Sequence, residues 1–185
     1  MKKKHLAILL IFTLIICTLC GCDNASTNNV PDEFEGKWAY VHDTETPILT
    51  VKPDGKAEYK GESYSYARDD QFIILTDKNG NETKHRYLVD TDGIYVYEDV
   101  VYTYTGEGTP EGLVGVWQAD KWSFEFTANG EFKEDSYFPG YYTLNEELGT
   151  IKLIYNDHFT DTVLYYSIEG NELHMEYPWL LVKMQ

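Results

Sequence analysis

Along most of this chain apolar and polar side chains alternate one by one. Phe124 and Phe126 flank Glu125, and Ile151, Leu153 and Tyr155 share one parity. Leu164, Tyr166 and Ile168 do the same, then Leu173, Met175 and Tyr177. Earlier, Leu49 with Val51, Ala57 with Tyr59 and Tyr64 with Tyr66 follow the same rule. A period of two puts every second side chain on one face of a strand, so these runs predict strands with one buried face. Asp54-Gly55, Asn79-Gly80, Asp92-Gly93, Asn129-Gly130 and Gly170-Asn171 punctuate the runs. Such pairs tolerate the positive φ angles of tight hairpins. No stretch beyond the N-terminal segment shows helical periodicity. The expectation is an all-β antiparallel meander.

The pattern also repeats. Gly36-Lys37-Trp38 returns as Gly115-Val116-Trp117, and Leu49-x-Val51 with its Asp54-Gly55 turn returns as Phe124-x-Phe126 with Asn129-Gly130. Tyr87 and Val89 match Tyr166 and Ile168, so the two copies stay in step apart from small gaps. Thr105 to Gly112, rich in Gly and flanking Pro110, is the seam. Internal repetition outranks local cues, and it predicts two tandem β modules, residues 36–106 and 113–185. Seven or eight strands each would curl and close, since closure removes exposed edges. Modules of this size supply only about 3–5 kcal/mol from one core. They are therefore expected to pack together or to rely on aromatic burial.

The N-terminal segment, Met1 to Cys22, is of another kind. Lys2, Lys3 and Lys4 precede an apolar run from Leu6 to Leu19, and then comes Cys20-Gly21-Cys22. The run is short of the roughly 20 residues of a spanning helix and has the layout of an export signal. Its end resembles the bacterial lipobox, although Cys20 stands where Ala, Ser or Thr is usual. That resemblance implies a signal peptide over 1–21, a diacylglycerol on Cys22 and a mature protein anchored on the extracytoplasmic face of the cell membrane. Residues 22–35 read as a lipidated flexible tether. Two acyl chains hold where one does not.

Charge narrows the partners. The chain has 31 acidic and 15 basic residues, a net charge of −16. All the acids follow the leader and three of the bases lie within it, leaving 12 against 31, or −19, after cleavage. Nucleic-acid binding rests on Lys and Arg neutralising phosphates, so nucleic acid is excluded as a partner. Cys17 and Cys20 leave with the leader and Cys22 takes the lipid. Disulfides, thiolate metal sites and cysteine nucleophiles are excluded by that count.

Gly36, Trp38, Gly115 and Trp117 carry a further resemblance. Gly-x-Trp heading an antiparallel meander is similar to the lipocalin signature. Each copy resembles the small lipocalin-like domains of unassigned function in Gram-positive lipoproteins. The second matches better, through Gly115, Trp117, Phe124, Phe126, Asn129, Gly130, Gly140, Tyr142, Ile168, Gly170 and Leu173. The resemblance implies small barrels with the tryptophans as structural plugs, and no activity. The modules are half the length of a true lipocalin, so a large ligand cavity does not carry over. Lipocalins also set a cation from the last strand over the signature tryptophan. Lys183 is expected to do this for Trp117 by a cation–π contact, and the first copy has no counterpart.

Trp122 and Trp179 are the candidates for exposed aromatic binding residues. His85 shares the parity of Tyr87 and Val89 and is expected to face inward, as a hydrogen-bonded core histidine or as an acid–base group. His174 alternates outward. Asp69-Asp70, Asp77 to Glu82 and Asp90 to Gly93 are acidic hairpin tips whose spacing departs from the EF-hand. No nucleophile elbow, paired zinc histidines or phosphate loop is present. The expected function is a non-catalytic surface lipoprotein that binds a protein, a glycan or a small apolar ligand, without a cofactor, with the site where the copies meet. The alternatives are an envelope enzyme using carboxylates or His85, and a divalent-cation binder using the acidic tips.

Overall fold

The computed structural model describes residues 32–157 and 159–185. The leader, Cys22, the tether as far as position 31 and His158 lie outside the described residues. All the described residues belong to one compact unit.

The first repeat supplies β1 (Gly36–Tyr40), β2 (Asp43–Lys52), β3 (Lys56–Tyr59), β4 (Glu62–Arg68), β5 (Phe72–Thr76), β6 (Glu82–Asp90) and β7 (Gly93–Tyr104). The second supplies β8 (Gly115–Ala119), β9 (Trp122–Phe126), β10 (Glu131–Glu134), β11 (Phe138–Asn145), β12 (Thr150–Tyr155), β13 (Thr162–Glu169) and β14 (Glu172–Lys183). All fourteen are antiparallel to their neighbours and pair in chain order, and no helix occurs among the described residues. The alternation, the hairpin turns and the absence of helix are as the sequence predicts.

The closure adds something the repeat does not announce. β14 pairs back on β1, and β7 and β14 also pair with each other, from Ile94 opposite Leu181 to Thr103 opposite Glu172. Each of these two long strands serves three partners by dividing its other edge. On β7, Gly93–Val96 meets β6 while Thr103 and Tyr104 meet β8. On β14, Glu172–Glu176 meets β13 while Leu181–Lys183 meets β1. The strand-free seam falls between Tyr104 and Gly115, yet each closed circuit of pairs takes strand from both sides of it. The repeat correspondence that sets Tyr87 on Tyr166 also carries Ile94 onto Leu173 and Tyr102 onto Leu181. It therefore maps the β7–β14 ladder onto itself about the central pair Glu98 and Tyr177.

Two apolar clusters follow from this division. The first holds Trp38, Leu49, Val51, Ile73, Leu75, Ile94, Val96 and Leu181. The second holds Tyr102, Trp117, Phe124, Phe126, Phe132, Ile151, Leu164, Leu173 and Met175. One face of β7 thus feeds the first cluster through Ile94 and Val96 and the second through Tyr102, with the change at Glu98. No polar side chain is fully buried among the described residues. Burying one such apolar side chain contributes about 1.5–3 kcal/mol, so burial carries the fold.

Both signature tryptophans are buried. The Trp38 indole N–H donates to the Phe34 carbonyl at 2.8 Å, and that of Trp117 donates to the Leu113 carbonyl at 2.7 Å. Phe34 is itself 1% exposed, and Arg68 Nε bonds Asp32 Oδ1 at 3.0 Å. Within the span assigned to the tether, Phe34 is therefore packed into the domain and Asp32 is tied to it. Gly36 and Gly115 have φ of +123° and +139°, a region L side chains avoid. A β-carbon on Gly115 would come within 2.4 Å of the Tyr104 ring.

One expectation is overturned. Lys183 lies over Trp38, with Nζ 5.4 Å from the ring centre, and not over Trp117. The end of β14 closes onto β1, so the last cation of the chain reaches the first tryptophan. Trp117 instead meets Tyr104, 5.2 Å away between ring centres, at the end of β7.

Candidate functional site

Trp122 opens β9 and Trp179 lies near the end of β14, far apart in the chain, yet both line one hollow of about 280 Å³. The other walls are Val100 and Tyr102 of β7, Glu134 of β10 and Tyr177 of β14. Trp122 and Trp179 remain 56% and 41% exposed, and Tyr102 is buried to 2%. Strand parity explains the convergence. Val100 and Tyr102 share a face of β7, Tyr177 and Trp179 share a face of β14, and the two strands are paired neighbours. The hollow therefore draws on both repeats. Trp179 is also braced from the first repeat by Tyr40, 5.7 Å between ring centres.

The polar groups in the hollow are mostly occupied. The hydroxyls of Tyr102 and Tyr177 are 2.8 Å apart and bond each other. Tyr155 donates to Glu134 Oε2 at 2.6 Å, while Oε1 has no hydrogen-bond partner among the described residues. Burial raises the Glu134 pKa, Asp135 pushes it the same way, and the Tyr155 bond offsets them in part. Burial likewise lifts Tyr102 to about 12 and carries Tyr177 well above the ordinary phenol range. Neither phenol is an acid–base group near neutral pH.

The matching place in the first repeat is built differently. Glu98 accepts hydrogen bonds from Tyr59 at 2.6 Å and Tyr40 at 3.0 Å, and pairs with Lys60 at 2.7 Å. Burial raises its pKa, but Lys60 and the two hydroxyls outweigh this and hold it below the ordinary carboxylate value. A folded pKa below the unfolded one contributes stability above the unfolded carboxylate range, and that stability is lost as pH falls through the folded pKa. Glu98→Gln should therefore cost about 1.5–3 kcal/mol at neutral pH, with the difference from wild type vanishing in acid. Urea midpoints at the two pH values measure this, and an equal difference at both would contradict it.

His85 is not part of the hollow. It sits half-buried on β6, its Nδ1 3.2 Å from the Tyr97 carbonyl and its ring 4.9 Å from that of Tyr59. Burial lowers its pKa despite the Tyr97 bond and the nearby Glu98. His174 does face away from Leu173 and Met175, but it is paired there, Nδ1 2.6 Å from Asp99 Oδ2, and its pKa is raised by that bond.

All three acidic tips bond their own backbone, Asp90 by accepting from the Thr91 amide at 2.6 Å. Asp77 accepts from the amides of Asn79 and Asn81, and Asp69 from those of Gln71 and Phe72. Among the described residues no group of three or more His, Cys, Asp or Glu is placed to hold a metal ion. Sequence reasoning singles out Trp122 and Trp179 but not Tyr102, Tyr177 or Glu134. Their parity reads as ordinary core, and only the pairing of β7 with β14 places them at a shared opening. No family model, curated protein or solved structure matches this chain.

Proposed function

We propose that this chain is a non-catalytic surface lipoprotein, held on the outer face of the cell membrane by lipid on Cys22. In this reading it carries two lipocalin-like barrels that exchange the ends of their closing strands and bind a partner molecule at their junction. The observation that supports it best is the convergence of Trp122 and Trp179 on one opening. Indole rings kept half in water are costly on a surface otherwise dominated by acids, and they are the side chains that anchor binding sites. The basic leader, apolar run and terminal cysteine support the anchor.

The binding role is tested by capture from envelope extract with the purified processed domain. Capture of a defined component should be lost in the Trp122→Ala, Trp179→Ala double variant, which stays folded because both rings are about half exposed and neither belongs to an apolar core cluster. Undiminished capture by the double variant would contradict the reading.

A further inference from the structure

We infer that the hollow between Trp122 and Trp179 receives a small quaternary ammonium cation, an inference that rests on the binding role proposed above and names its ligand. The comparison between the repeats carries the argument. The alignment that sets Leu49 on Phe124 sets Tyr59 on Glu134 and Lys60 on Asp135, and the one that sets Gly36 on Gly115 sets Tyr40 on Ala119. Lys60 and Asp135 even share a positive φ, 50° and 52°. In the first repeat the central carboxylate, Glu98, has an internal cation in Lys60 and is covered by Tyr40. In the second repeat carboxylate and phenol trade places, Tyr177 standing where Glu98 stands and Glu134 where Tyr59 stands, while the Lys60 position holds an acid and the Tyr40 position an alanine. The second repeat thus keeps a half-buried carboxylate, opens the space beside it and supplies no cation of its own among the lining residues.

The walls select the kind of cation. Trp122, Trp179, Tyr102 and Tyr177 line the hollow together with Glu134, and the faces of such rings attract a cation by about 0.5–1 kcal/mol when exposed and about 2 or more when desolvated. A polyhydroxylated sugar needs many donors and acceptors, but the lining offers few, because the bond between the Tyr102 and Tyr177 hydroxyls leaves one phenol hydrogen free and Tyr155 takes Glu134 Oε2. A neutral apolar group would cover Glu134 and strand its charge. An anion would meet Glu134, Asp135 and a chain of net charge −16. A simple ammonium would have to give up its hydration for too few acceptors, whereas methyl groups spread the charge and match the rings. At about 280 Å³ the space falls just short of the roughly 300–1,000 Å³ of sites for drug-sized ligands, which fits a headgroup-sized molecule.

The indole N–H signals of a ¹H–¹⁵N spectrum test this, because the four tryptophans divide into two buried plugs and two rim residues. Choline should shift the Trp122 and Trp179 signals saturably and leave those of Trp38 and Trp117 in place. The neutral isostere 3,3-dimethylbutan-1-ol should bind at least about tenfold more weakly. Phosphocholine, with its added anion, should also bind more weakly than choline. Glu134→Gln should weaken choline about tenfold and remove the preference over the neutral isostere, with the Trp38 and Trp117 signals reporting an intact fold. Equal binding of choline and the isostere would overturn the cation inference and leave the binding site standing. Tighter binding of phosphocholine, or no shift at Trp122 and Trp179 with any probe, would overturn the inference. Loss of the binding role itself would appear as envelope capture unaffected by the double tryptophan variant.

Discussion

Removing residues 179–185 from the second repeat should unfold the first. That stretch holds Leu181, buried in the first apolar cluster, and Lys183, which lies over Trp38. It also makes the β1 ladder, with Trp38 opposite Lys183, Ala39 opposite Val182 and Tyr40 opposite Leu181. Without it β1 loses a whole edge and Ile94–Val96 of β7 loses its partner on one side. Losing a buried leucine alone costs about 2–5 kcal/mol, and a domain of this size has only about 5–15 kcal/mol in total. Hydrogen exchange should show lost protection in β1, β2 and β6, while β10, β11 and β12 remain protected. Lost protection confined to the second repeat would mean that each repeat closes on its own strands.

The next largest effect is expected at Trp117. Its side chain is fully buried, its N–H bonds the Leu113 carbonyl and its ring meets Tyr104. Trp117→Ala removes the largest buried side chain of the second cluster and should cost about 3–5 kcal/mol, because the rigid closed sheet cannot collapse onto the space. It also leaves the Leu113 carbonyl without its donor, a further penalty for a buried acceptor. Guanidinium unfolding of the single variant measures the loss, and a change below about 1 kcal/mol would show that the ring is not a plug. The matching Trp38→Ala variant should behave similarly, since the indole N–H of Trp38 bonds the Phe34 carbonyl in the same way.

Much of this is legible in the chain. Alternation such as Ile151, Leu153 and Tyr155 reports strand and buried face directly, because side-chain period and backbone pleat are one geometry. The turn dipeptides mark the hairpins for a similarly local reason. The junction is not legible, because repetition says that two units are alike and leaves open which copy of a strand closes which circuit. Lys183 illustrates the difference. Its place at the end of the last strand assigns it to Trp117 if a repeat closes on itself, and to Trp38 if the closing strands cross. Phe34 escapes notice because it is a single aromatic among acids, and its counterpart Leu113 is of a different residue type. At the site, Trp122 and Trp179 stand out by chemistry. Glu134 does not, as one of 31 acids, and only the contrast of Lys60 with Asp135 and of Tyr40 with Ala119 gives it meaning.

The crossed closure of the two repeats underlies both the cores and the shared hollow, and one set of proton–proton contacts decides it. Cross-strand nuclear Overhauser effects should connect the Lys183 methylenes to the Trp38 indole and the Tyr104 ring to the Trp117 indole, with backbone contacts between Ile94 and Leu181. Contacts of Lys183 with Trp117 and of Tyr104 with Trp38 would instead establish two self-closed repeats and contradict the account.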